Sequence, residues 1–195
     1  MNKEKINAII KSSIEVKQKL LTDEKLLTTL IDVTTSWCKT LEGNGRILFC
    51  GNGGSAADAQ HIAAELSGRF YFDREPLDAE ALHVNTSYLT AVANDYSYDE
   101  VYSRMVRAKG KKGDMLVGIS TSGNSANVIK AMEQAKKQGM IVVAMTGKNG
   151  GKMRDCCDFL INVPSNDTPR IQECHIMVGH ILCELTEEQL FKKNA

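Results

Sequence analysis

His61 and Glu65 stand four residues apart, and His180 and Glu184 repeat the pairing near the other end of the chain. On a helix, side chains at i and i+4 share a face. An imidazole and a carboxylate so placed can bind a divalent metal, or can divide the roles of acid and base. They can equally form a plain hydrogen bond on a helix surface. The second pair lies in "RIQECHIMVGHILCEL", with Gln172, Glu173 and His175 upstream. That stretch is otherwise apolar, so its polar members need partners wherever they are buried. His83, in "ALHVN", has no companion and reads as structural.

Two loops offer ligand binding rather than proton transfer. "STSGNS" carries hydroxyls at Ser120, Thr121, Ser122 and Ser125, directly before a helical pattern. Hydroxyl donors combined with a helix N-terminus hold a phosphate without a lysine. The same residues could serve only as an N-cap at Asn124 or Ser125 with polar loop around it. "GNGGS" (51–55) has glycines that let backbone approach a ligand, with Asn52 and Ser55 as polar side chains. Neither loop contains the lysine of a P-loop or the full dinucleotide fingerprint.

These groups must be positioned by an alternating pattern. Short apolar runs at "RILFC" (46–50), "DMLVGIS" (114–120), "MIVVAMT" (140–146) and "CDFLINV" (157–163) read as strands. Helices are expected at Ala56 to Gly68, Ala126 to Gln138 and Ile171 to Leu190. The stretch 83–108 supplies one short strand or loop and one or two helices. Continuous apolar strands alternating with helices predict a three-layer α/β sandwich with a central parallel sheet. In such sheets ligands bind beyond the carboxyl ends of the strands, where both loops lie. Residues 1–42 read as two added helices divided at "LLTDEKL", with Thr22 or Asp23 as N-cap. Their apolar stripes have a sheet or a neighbouring subunit to cover. No linker divides the chain, so residues 1–195 are expected to form one domain.

Bulk properties narrow the classes. Lys plus Arg and Asp plus Glu number 24 each in 195 residues, a balance that argues against a general nucleic-acid binder. Apolar residues make up 43% and no run approaches the ~20 residues of a membrane span. The start lacks a signal-peptide pattern. Six cysteines without a C-x-x-C pair point to reduced, structural thiols in the cytoplasm.

Taken together, "CGNGGSAADAQHIAAEL", "AVANDYSYDEVYSR", "GISTSGNSANV" and "TPRIQECHIMVGHILCE" closely resemble the phosphoheptose isomerases, within the sugar isomerase (SIS) domain family. The resemblance runs over essentially the whole chain. It implies a cytoplasmic homotetramer without membrane or nucleic-acid partners, interconverting sedoheptulose 7-phosphate and D-glycero-D-manno-heptose 7-phosphate for bacterial surface polysaccharides such as lipopolysaccharide or capsule. It also implies that Ser120, Thr121, Ser122 and Ser125 hold the phosphate, and that Asn52, Gly53, Gly54, Ser55, Asn94 and Asp95 line the sugar site. His61, Glu65, Gln172 and His180 would hold zinc. Glu65 and His180 would also move protons, and Glu65 and Gln172 would also touch substrate. Pro169 departs from relatives that are acidic there. A rival reading is a non-catalytic SIS protein that binds the replication initiator.

The proposed ligands raise a spacing question. Gln172 and His180 are eight residues apart, ~12 Å along a straight helix with ~80° between side chains. Metal bonds of ~2 Å strain that span. Either Gln172 lies in a frayed or bent first turn, or one ligand comes from another chain.

Overall fold

The computed structural model describes residues 2–192. Helices α1 (Lys3–Leu21) and α2 (Glu24–Glu42) open the chain. Asp23 divides them, its carboxylate accepting the Leu26 N–H at 3.0 Å to start α2. α1 buries only Val16 and Leu20, leaving Ile6, Ile9, Ile10 and Ile14 exposed in the single chain.

Five strands, β1 (Ile47–Gly51), β2 (Ala79–Ala81), β3 (Met115–Ser120), β4 (Ile141–Thr146) and β5 (Phe159–Asn162), form one parallel sheet. Their order is β2-β1-β3-β4-β5. Alternate side chains enter opposite cores. Ile47 and Phe49 pack with α2, α3 (Gly54–Ser67) and α7 (Thr168–Phe191). Leu48 and Cys50 pack with α5 (Val101–Lys109) and α6 (Ala126–Lys137), near α4 (Thr86–Asp95). This is the expected three-layer α/β sandwich. Its strands are buried on both faces, which is why they read as unbroken apolar runs.

The order determines where a ligand binds. From β1 the chain crosses one face through α3 to β2, then returns over the other face through α4 and α5 to β3. The direction reverses beside β1, so the carboxyl ends of β1 and β3 flank the switch point of the sheet, the place where such folds bind ligands. "GNGGS" and "STSGNS" sit at those two ends.

Three expectations are corrected. A fifth strand, β2, precedes the 83–108 stretch, which holds α4, α5 and a 3-10 turn at 98–100 and no strand. β2 is an edge strand reading Ala–Glu–Ala, residues with little strand preference. α3 starts at Gly54 rather than Ala56, because the loop is its first turn: Ser55 N–H donates to Asn52 O and Ala56 N–H to Gly53 O, each at 3.0 Å. α7 starts at Thr168 rather than Ile171, since Pro169 fits a first helical turn, where its missing N–H costs nothing.

Candidate active site

The serine loop is a cluster of hydroxyls closed on itself. Ser120 Oγ lies 2.8 Å from Ser125 Oγ and 3.4 Å from Ser122 Oγ. Ser122 Oγ also accepts the Asn124 N–H at 3.1 Å. Ser125 borders α6 without capping it by its side chain. The positive end of that helix is left to an anion. Thr121 is placed by backbone, its C=O accepting the Gly147 N–H at 3.0 Å. Thr121 and Ser122 line a cleft of 170 Å³ with Lys148, Ser165, Asn166 and Thr168. A larger apolar groove of 390 Å³ lies between α1, α2 and α7, among leucines and isoleucines away from these groups.

The loop "GKNGG" after β4 supports this cluster from behind. Gly123 has φ +67°, and a Cβ there would strike the Gly150 carbonyl. The Met153 N–H donates to Gly123 O at 3.0 Å, and the Lys152 N–H to Asn124 Oδ1 at 3.1 Å.

Asn52 ties the two ligand loops together. Its Nδ2 donates to Asn127 Oδ1 at 2.9 Å, and Asn127 Nδ2 donates back to Asn52 Oδ1 at 2.9 Å. The Tyr98 hydroxyl donates to the same Asn52 oxygen at 3.2 Å. Asn127 is buried in the first turn of α6, so the pair spaces "GNGGS" from "STSGNS". Ser55 is buried, while Gly53 and Gly54 are exposed. The Gln172 amide lies directly on Gly54, an approach that any side chain at 54 would block. Asn94 and Asp95 hydrogen-bond each other at 2.9 Å at the exposed end of α4.

α3 and α7 bring the imidazoles and the carboxylate together. His61 Nε2 lies 3.0 Å from His180 Nε2 and 3.1 Å from Glu65 Oε1. Ligand atoms of all three residues lie within 4.8 Å of one another. A tetrahedral ion with bonds of ~2.0–2.1 Å separates its ligand atoms by ~3.3 Å. The spacing and the donor types therefore fit a divalent metal. Gln172 sets its amide beside Gly54, in the first turn of the helix that carries His61 and Glu65. α7 is helical from Thr168, so Gln172 lies within a formed turn rather than a frayed one. One turn before His61, burial pushes the Asp58 carboxyl up to about 6, with the His61 charge acting the other way.

The other polar residues of α7 separate by surroundings. His180 takes His61 rather than Glu184 as its neighbour. His175 is fully buried and donates from Nε2 to Thr146 O at 3.1 Å, and burial lowers its pKa to about 4. Glu173 pairs with Arg170 at 2.6 Å. His83 is half-buried on its own. Cys38, Cys50, Cys174 and Cys183 are buried. Sequence reasoning missed Asn127, Tyr98, Arg74 and Glu187, whose partners lie 46 to 117 residues away. Their local sequences carry no signal of those bonds.

The site thus combines a hydroxyl loop at the sheet switch point with a His61, Glu65 and His180 cluster that fits a divalent metal. The SIS domain model matches residues 12–147, and the chain belongs to that family. The chain is 54% identical over 187 residues to the phosphoheptose isomerase of Aneurinibacillus thermoaerophilus, covering 96% of this chain and 94% of the relative. It is 48% identical to phosphoheptose isomerase 2 of Campylobacter jejuni, covering 97% and 96%. The solved phosphoheptose isomerase of Neisseria gonorrhoeae superposes with a TM-score of 0.89 at 46% identity, over 95% of this chain and 98% of that one. That of Francisella tularensis gives 0.92 at 34% identity, over 96% and 100%. Within the SIS family, this chain is one of the phosphoheptose isomerases.

Proposed function

We propose that the enzyme interconverts sedoheptulose 7-phosphate and D-glycero-D-manno-heptose 7-phosphate through an enediol. The observation that carries this reading is the convergence of His61, Glu65 and His180 beside two loops suited to a phosphosugar. The serine loop takes the phosphate, with hydroxyls and a helix N-terminus as donors. The Glu65 carboxylate moves the carbon-bound proton between C1 and C2. The His180 imidazole moves the proton between O1 and O2. Gln172 and the backbone at Gly53 and Gly54 orient the sugar, and Asn94 and Asp95 face it from α4. His61, Glu65, Gln172 and His180 would hold the metal, which we take as zinc, and it supplies Lewis acidity at the substrate oxygens when bound.

The enzyme is read as a cytoplasmic homotetramer supplying heptose for surface polysaccharide. The buried Cys50, Cys174 and Cys183 thiols and the exposed isoleucines of α1 support that placement and assembly. No described helix is long and apolar enough to cross a membrane. The relatives compared above are isomerases, which leaves the initiator-binding alternative without support. Incubation of metal-replete enzyme with sedoheptulose 7-phosphate, followed by NMR, should reveal the aldose. No turnover by an intact oligomer would overturn the reading.

We take Gln172 as the fourth metal ligand, reaching the ion from a different subunit than His180. Gln172→Ala and His180→Ala subunits, each inactive alone, should then recover partial activity on mixing. No recovery after demonstrated subunit exchange would place both ligands in one chain and overturn the shared site.

A further inference from the structure

Glu187 is 1% exposed and stands outside the phosphate-binding and proton-transfer groups proposed above. It follows His180 by seven residues, two helical turns, and so shares its face of α7. All its bonds go to the segment that leaves α3. One carboxylate oxygen accepts the Phe70 N–H at 3.1 Å and Arg74 Nε at 2.9 Å. The other accepts the N–H groups of Tyr71 at 2.6 Å and Phe72 at 3.0 Å. Burial opposes the charge, but these backbone donors and Arg74 outweigh it and hold the carboxyl below its usual range.

Arg74 completes the connection. Its guanidinium donates to Glu65 O at 3.0 Å and Leu66 O at 2.8 Å, the last turn of the helix that carries Glu65 and His61. The same segment lays the Phe70 ring 5.8 Å from the His180 ring, tilted by 40°. A buried ion pair is a costly way to join two helices, since apolar packing often does so at least as well. Directional bonds, unlike apolar contacts, hold one register. Reactive groups need that register within ~0.5 Å.

We infer that Glu187 and Arg74 are positioning residues that lock α3 and α7 in register, seating Phe70 over His180 and holding Glu65 opposite it. This rests on the role proposed above for the His61, Glu65 and His180 cluster. Partners behind metal-binding residues typically change metal affinity or activity ~10–100-fold when altered.

The test uses the full-length oligomer and three readouts: Co²⁺ affinity by titration of the metal-free protein, kcat and KM. Glu187→Gln keeps the shape and removes the charge. It should weaken Co²⁺ binding and lower kcat, each ~10-fold or more, while KM stays within ~2-fold because the serine loop is untouched. Phe70→Leu leaves the ion pair in place and should lower kcat ~3–10-fold, which keeps the test open if Glu187→Gln folds poorly. A folded Glu187→Gln enzyme, or a Phe70→Leu enzyme, with wild-type kcat and Co²⁺ affinity would overturn the proposal; a purely structural role would lower only the melting temperature. A His180→Ala variant that binds Co²⁺ as tightly as the wild type would instead overturn the metal reading itself, and the proposal with it.

Discussion

The two ends of the proposed active site are built in opposite ways. The phosphate end is six consecutive residues, neutral, with hydroxyls bonded to one another and a glycine loop behind them. The reactive end joins residues 119 positions apart, carried on two helices. The first needs correct local backbone. The second needs two helices in one register, so it is open to disruption from residues that never meet the substrate.

That contrast breaks or sharpens under four changes. The largest effect is expected at the reactive end. Glu65→Gln keeps the side-chain shape but removes the base, and kcat should fall ~10²-fold or more with little change in KM. A near-normal kcat in the NMR assay would take the carboxylate out of the proton transfer.

The next effect tests whether the phosphate loop depends on the support behind it. Gly123→Ala forces a side chain into φ +67° and against the Gly150 carbonyl. Stability should drop by about 2–4 kcal/mol in urea unfolding. A loss within about 0.5 kcal/mol would show that the loop stands without the "GKNGG" buttress.

Ser125→Ala should act on binding alone. Losing one hydroxyl donor to a charged phosphate costs about 1.5 kcal/mol, so KM should rise ~10-fold with kcat within ~2-fold. An equal fall in kcat would mean that the two ends are coupled rather than separate.

The smallest effect concerns His175, midway along α7 between Gln172 and His180. Its folded pKa of about 4 lies below the ordinary 6.5. The unfolded chain therefore binds the proton first as pH falls, and stability present above 6.5 is lost towards 4. Between pH 6.5 and 5.5 the loss should be about 1 kcal/mol. Asp58, whose pKa is raised, slopes the other way, so the comparison is with His175→Gln. That variant should lack the His175 share of the slope. Identical slopes in the two proteins would remove His175 as its source.

Much of this arrangement is legible in the residues themselves. The four longer strands, the helices between them and both ligand loops follow from apolar runs punctuated by glycine and serine. The one missed strand, Ala79–Ala81, has three residues and no strand-forming side chain. His61 and Glu65 are adjacent on a helix by spacing alone. Nothing in the local sequence says that His180 meets His61 rather than Glu184, that Gln172 lies on Gly54, or that Asn127 holds Asn52.

By itself the sequence determined the alternating α/β pattern, the neutral hydroxyl loop before α6 and the imidazole–carboxylate pair on α3. Each is written in residues within a turn or a strand of one another, where hydrogen-bond spacing and side-chain period decide the outcome. Only the tertiary structure decided the partner of His180, the place of Gln172 and the Glu187–Arg74 lock. Those depend on how α3 and α7 slide and rotate against each other, and that register is set by side-chain packing and buried bonds between segments more than a hundred residues apart.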